Sequence, residues 1–173
     1  LFPLPNAGSA NATGAGTWRT LSHHRSCTGG RVALRTFAAM RILILNGPNL
    51  DLLGTREPAI YGSRSFADLL AELRSAFPAV RIEHVQRNSE SDLVVDLRKA
   101  ATEQDGVVLN AAGYSHTSVA LRDTITVLPI PVVEVHISNI HAREEFRWIT
   151  LTGAVCTGVI TGFGLEGYRL VVQ

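Results

Sequence analysis

The chain has 173 residues, 46% of them apolar, and its 16 Lys and Arg against 15 Asp and Glu give a formal charge of +1. That length makes one domain with a sizeable core the prior, and the charge balance, with no basic stripe interleaved with aromatics, argues against nucleic acid as a partner. No apolar stretch approaches the roughly eighteen residues of a membrane span, and the two cysteines, Cys27 and Cys156, form neither a disulfide framework nor a metal cluster.

Residues 1–39 contain no Asp or Glu, carry Arg19, Arg25, Arg31 and Arg35, and are rich in Gly, Ala, Ser and Thr. Without sustained apolar periodicity, such a leader is expected to be disordered. Met40, the single methionine, stands directly before the first strand-like run. It is the natural start of the folded domain, 40–173, with the leader read as upstream translated sequence and an organelle transit peptide as the alternative. The pair His23-His24 has no metal-site pattern, and Asn11-Ala-Thr13 is a formal sequon without secretory context. Setting aside the four leader arginines leaves 12 basic against 15 acidic residues, so residues 40–173 carry −3.

From Met40 on, strand-like and helix-like stretches alternate. Strands are predicted near 41–46, 80–86, 106–110, 131–136 and 155–161, and helices near 65–77, 89–104, 116–126 and 141–148. Leu93, Val94, Leu97 and Ala100 recur at helical spacing, and Ser65 with Asp68 and Ser89 with Asp92 resemble helix-starting caps. Cys156, in the last predicted strand, reads as a small buried apolar residue. The alternation predicts an α/β domain, a parallel sheet covered by helices on both faces. Periodicity alone leaves the strand order open.

Three strand ends carry the chemistry. RILILN (41–46) runs into NGPNLDLLGTREPAIYG, a long Gly/Pro/Asn-punctuated loop bearing Asn49, Arg56 and Tyr61. GVVLN (106–110) ends in Asn110 and leads to His116 and Asp123, seven residues apart and able to share a helix face. LPIPVVEV (128–135) enters EVHISNIHAREEFR, where Glu134 and His136 lie two apart and point to the same side of an extended strand. A carboxylate can then orient an imidazole. Ser138 and Asn139 follow as a polar turn, and Arg143 and Arg147, at i and i+4, share one face of the predicted helix. In open α/β sheets ligands bind outside the carboxyl ends of strands, and this set suits a small, polar, carboxylate-bearing substrate. Taken singly, each residue has a plainer reading: a loop tyrosine beside a solvated arginine, a structural histidine, a Pro-Asn turn, a solvated helix face. Gly162-Phe-Gly164-Leu-Glu-Gly167 fits G-x-G-x-x-G, yet only six residues follow it, too few for a dinucleotide-binding unit.

ILNGPNL (44–50), GTREPAIYG (54–62), LNAAGYSHTSVALRD (109–123), EVHISNIHAREEFR (134–147) and TGVITGFGLEGY (157–168) closely resemble, in one order and without large gaps, the type II 3-dehydroquinate dehydratases of the shikimate pathway. The resemblance implies a flavodoxin-like three-layer sandwich around a five-stranded parallel sheet. It also implies a lyase that dehydrates 3-dehydroquinate to 3-dehydroshikimate through an enolate, without cofactor or metal, in chorismate and aromatic amino acid biosynthesis. A homo-oligomer of trimers assembling to a dodecamer is implied, in the cytoplasm, or a plastid if the leader is a transit peptide. The chain ends at Gln173, a few residues into the helix that closes the family fold, and the shortening is expected to cost packing and subunit contacts.

The site residues follow from the same resemblance. Tyr61 matches the base, acting as tyrosinate, although an unperturbed tyrosine is only about 0.1% ionised at neutral pH. Arg56 matches the loop arginine that supplies a stabilising cation, with Arg143 adding positive field. His136 matches the general acid, its ring held by Glu134. Asn49 matches the residue that fixes a water against the enolate. Asn110, His116, Asp123, Ile137, Ser138 and Arg147 match the substrate contacts, Ile137 and Ser138 through backbone N–H groups and Asp123 toward a neighbouring subunit's site. A flavodoxin-like receiver or flavin carrier is the competing class, and its paired carboxylates after the first strand, or its Ser/Thr-rich phosphate loop, do not appear. The single lysine, Lys99, sits beside Arg98 on a polar face, leaving no Schiff-base nucleophile. A catalytically impaired relic of the dehydratase is the third reading.

Overall fold

The computed structural model describes residues 39–53 and 64–173. The leader expected to be disordered lies, but for Ala39, outside the described residues, as does the stretch 54–63 that carries Arg56 and Tyr61. The described strands and helices belong to one compact unit, Phe37–Gln173.

The apolar runs form strands β1 (Met40–Asn46), β2 (Val80–Gln86), β3 (Gly106–Asn110), β4 (Val132–His136) and β5 (Gly158–Thr161). All pairings are parallel, in the order β2-β1-β3-β4-β5. The longer helices are α1 (Phe66–Ala76), α2 (Glu90–Glu103), α3 (Val119–Thr126) and α4 (Glu166–Val172). This is the flavodoxin-like order. Side chains alternate across β1. Ile42 and Ile44 pack with Phe66, Leu69 and Leu73 of α1 and Tyr168 of α4, whereas Leu43 and Leu45 pack with Leu93 and Leu97 of α2 and Leu121 of α3. A strand buried on both faces cannot read as apolar/polar alternation, which is why the run is continuously hydrophobic. Among the described residues, no helix is long and apolar enough to cross a membrane, and no group of three His, Cys, Asp or Glu could hold a metal ion.

Helix starts follow local capping, and the capping separates right from wrong expectations. Ser65 and Asp68 make the full reciprocal capping box that opens α1. Ser89 makes no side-chain cap hydrogen bond to α2; its hydroxyl lies 2.7 Å from Ser91 Oγ instead. The third helix begins at Val119, not near residue 116: Ser118 Oγ accepts from Leu121 N at 2.9 Å, and Ala112–His116 form a 3-10 turn before it. His116 and Asp123 therefore do not share one helix.

The helix expected over 141–148 is two 3-10 turns, Ile140–Ala142 and Glu145–Arg147. Arg143 (ψ −170°) and Glu144 (ψ 143°) are extended between them, so no i→i−4 ladder can form. The last strand starts at Gly158, not 155, and Cys156 lies in the turns before it, partly buried. Burial first, and the Glu134 charge second, push its thiol up to about 12, so it is not a nucleophile at neutral pH.

Candidate active site

The carboxyl ends of β1, β3 and β4 are adjacent in the sheet, and a cleft of about 710 Å³ opens there. Leaving β1, the chain presses against the chain leaving β3. Gly47 N donates to Asn110 O at 2.7 Å, and a Cβ on Gly47 would sit 2.6 Å from Ala111 O. Only glycine permits that approach. Asn49 then takes the left-handed conformation (φ 67°), which asparagine tolerates better than most residues, and starts a 3-10 turn at Leu50–Leu52. It lines the cleft.

At the end of β4, His136 Nε2 lies 2.7 Å from Glu134 Oε1, as the i, i+2 spacing predicted. Both are buried, Glu134 completely. The second oxygen of Glu134 accepts from the Thr152 hydroxyl. A carboxylate without water contact is thus held by two donors, which offsets its desolvation and fixes the imidazole plane. The His136 ring faces the cleft and lies 5.7 Å, centroid to centroid, from the ring of His116. Nδ1 of His116 is 2.8 Å from the carbonyl oxygen of Ile149. A carbonyl only accepts, so that nitrogen carries a proton, and in the neutral ring Nε2 is the acceptor.

Past β4 the wall becomes basic. Arg143 donates to Ser138 Oγ at 3.2 Å, and Arg147 donates through Nε to Glu144 at 2.9 Å, its guanidinium carbon 5.0 Å from the centre of the Phe146 ring. The two arginines are not on one helix face, yet both line the cleft. The carboxyl of Glu144 is held below its usual range by a backbone hydrogen bond first and by the two arginines after it.

Of the residues singled out in the sequence, Asn49, Asn110, His116, His136, Ile137, Ser138 and Arg147 line this cleft, and Glu134 stands directly behind His136. Asp123 does not. It is exposed on α3 and pairs with Arg122 at 3.3 Å. Arg56 and Tyr61 lie outside the described residues.

The sequence profile of the family described as Dehydroquinase class II matches residues 40–173. The chain belongs to the class II dehydroquinases. Among similar proteins, the 3-dehydroquinate dehydratase of Exiguobacterium sp. is 54% identical over 135 residues, covering 78% of this chain and 92% of its own. That of Jannaschia sp. is 49% identical over 135 residues, covering 77% and 91%. The crystal structure of the type II dehydroquinase from Propionibacterium acnes superposes with a TM-score of 0.73 at 44% identity, over 76% of this chain and 92% of that one. For the type II dehydroquinase of Butyrivibrio crossotus the TM-score is 0.75 at 38% identity, over 79% and 97%. Class II dehydroquinases dehydrate 3-dehydroquinate in the shikimate pathway.

Sequence reasoning on this dehydroquinase missed the residues that support the site from behind. Thr152 sits in TLTG, which reads as loop. Tyr168 closes a matched motif but carries no role there, and Asn46 reads only as the last residue of a strand. Phe146, half of an arginine–aromatic contact in the cleft wall, stands out in the sequence only as part of a motif.

Proposed function

We propose that this chain dehydrates 3-dehydroquinate to 3-dehydroshikimate, serving aromatic amino acid biosynthesis in the cytoplasm. The observation that carries the reading is the buried Glu134–His136 pair at a cleft that Arg143 and Arg147 also line. An acid and two cations suit a carboxylate-bearing substrate that must lose a hydroxyl. Tyr61, as a tyrosinate stabilised by the charge of Arg56, takes a proton from the carbon next to the ketone, and the electron pair moves onto the carbonyl oxygen. A water held by Asn49 hydrogen-bonds the enolate oxygen. The enolate then collapses, the carbon–oxygen bond to the hydroxyl at the β-carbon breaks, and His136 gives that hydroxyl a proton so that it departs as water. Glu134 keeps the ring in place throughout. Backbone N–H groups of Ile137 and Ser138, the Asn110 amide and Arg147 receive the carboxylate and ring hydroxyls, with His116 as acceptor.

The product is a conjugated enone, so ultraviolet absorbance of the full chain mixed with 3-dehydroquinate tests the proposal. A steady rise is expected, strongly reduced in His136→Ala. Folded protein that binds 3-dehydroquinate and produces no enone would instead support the catalytically impaired reading.

The chain is further proposed to act as a homo-oligomer of trimers building a dodecamer. Large apolar side chains stand exposed on the single chain, Val127 at 76%, Ile149 at 73% and Phe146 at 66%. Asp123, exposed and away from its own cleft, fits a role in a neighbouring subunit's site. Sedimentation of the full chain reads the assembly directly, and a monomer at working concentration would exclude it.

A further inference from the structure

Tyr168 is completely buried on the side of the sheet packed by α1 and α4, and its hydroxyl joins two strand ends. It accepts from Asn110 Nδ2 at 2.8 Å and donates to Asn46 Oδ1 at 2.9 Å. Asn46 ends β1 and Asn110 ends β3, and the two are register partners. The chain of contacts continues at both ends. Asn46 Nδ2 lies 3.3 Å from His84 Nε2, and Asn110 Oδ1 accepts from the backbone N–H of Ala112 at 3.2 Å. Ala112 itself is in the left-handed region, φ 53°, a strained position for a residue with a Cβ.

Donor and acceptor roles along this chain are fixed from the Ala112 end. A backbone N–H only donates, so the Asn110 atom facing Ala112 is the oxygen and the nitrogen faces Tyr168. The phenol has a single proton. Accepting from Asn110, it gives that proton to Asn46, whose oxygen must face it and whose nitrogen is left to donate to His84. His84 is half-buried, and burial first and Arg74 second lower its pKa, leaving Nε2 able to accept. One hydrogen of Asn110 Nδ2 is committed to Tyr168. The other remains for the cleft that Asn110 lines.

We infer that Tyr168 and Asn46 are positioning residues for substrate: with the Ala112 N–H they lock the Asn110 amide, its nitrogen on Tyr168 and its second hydrogen left for the cleft, so that a carboxylate or hydroxyl oxygen there meets a donor. The inference rests on the reading of Asn110 as a substrate contact. An unlocked amide would turn its carbonyl oxygen toward the anion in part of the population, and binding would have to supply the ordering that Tyr168 now supplies beforehand. His136 pairs with Glu134, outside this chain of contacts, so the effect belongs to binding and not to turnover.

Steady-state kinetics of the full chain with 3-dehydroquinate, each variant checked by thermal unfolding, tests this. Tyr168→Phe is expected to raise KM roughly five- to tenfold, with kcat within about twofold of the parent. Asn110→Ala also raises KM, and adding Tyr168→Phe to it has little further effect because both act through one contact. Asn46→Leu removes the acceptor of the Tyr168 hydroxyl and raises KM as Tyr168→Phe does. An unchanged KM in Tyr168→Phe with a raised KM in Asn110→Ala overturns the inference and leaves the Asn110 reading standing. An unchanged KM in Asn110→Ala overturns both. Should Tyr168→Phe fail to fold, Asn46→Leu decides alone, since a parental KM there contradicts the lock.

Discussion

Glu134 and Thr152 lie eighteen residues apart in the chain, and the Thr152 hydroxyl donates to Glu134 Oε2 while Oε1 holds His136. Gly153 makes the approach possible, because a Cβ there would sit 3.0 Å from Glu134 Oε1. Thr152→Val keeps the shape and deletes the donor, leaving a buried carboxylate oxygen unpaired at a cost of about 1–3 kcal/mol. The His136 ring then loses its fixed plane. The expected result is a fall in kcat of roughly tenfold with KM little changed, restored by Thr152→Ser. Unchanged kcat, or a loss confined to KM, would remove Thr152 from the support of the acid.

Gly47→Ala tests the meeting of the first and third strand ends. The new methyl would lie 2.6 Å from Ala111 O and 2.7 Å from its carbonyl carbon, both backbone atoms that cannot rotate away. The loop bearing Asn49 must shift, and the hydrogen bond from Gly47 N to Asn110 O lengthens with it. A loss of stability of about 1–3 kcal/mol is expected, with activity falling further than stability alone explains. Denaturant unfolding and turnover on the same sample check both parts. Parental turnover would show that the loop settles elsewhere without moving Asn49.

How much of the fold and site was legible in the sequence depends on the range of the interaction. The strands announced themselves because Ile42, Leu43, Ile44 and Leu45 are buried on alternating faces, so no polar residue interrupts the run. Glu134 and His136 were legible because a two-residue period is all that their pairing needs. The stretch 141–148 misled because arginines at i, i+4 fit a helix, whereas Asn139 Oδ1 caps a single turn by accepting from His141 N and Trp148 Nε1 reaches back to Arg143 O. Thr152 on Glu134, and Tyr168 between Asn46 and Asn110, join residues 18, 122 and 58 positions apart. No local pattern encodes such contacts. They emerge only when the sheet brings the strand ends together.

The capping box gives a prediction in pH. Asp68 is held below the ordinary carboxyl range, first by the hydrogen bond from the Ser65 side chain and next by the Ser65 backbone N–H. A carboxyl with a depressed folded pKa stabilises the fold when ionised: the contribution is complete above the unfolded pKa and is lost as pH falls through the folded one. Asp68→Asn should therefore lower Tm at neutral pH, and the difference from the parent should shrink as pH drops below about 4. Thermal unfolding across that range is the measurement. A difference that stays constant with pH would mean that the amide substitutes for, or the charge is irrelevant to, the start of α1.

Tyr61 and Arg56 carry the last prediction, and their roles rest on the family match, since both lie outside the described residues. An unperturbed phenol titrates near 10, and making it a base at neutral pH takes a shift of about three units, roughly 4 kcal/mol of preferential stabilisation of the anion. Tyr61→Phe keeps the ring and deletes the only proton-accepting atom, so dehydration should vanish while the unfolding transition stays near the parental one. Arg56→Lys separates two ways of stabilising the tyrosinate, because lysine keeps the charge and loses the planar fork. If the field alone lowers the phenol pKa, activity persists in part, and the limb of the pH profile that reports tyrosinate moves to higher pH as the weaker field lets that pKa rise. If fixed hydrogen bonds are also needed, turnover and ligand affinity drop together without that simple shift. Parental activity in Tyr61→Phe would take the base away from Tyr61 altogether, and the search would pass to His116, whose Nε2 is an acceptor in the neutral ring.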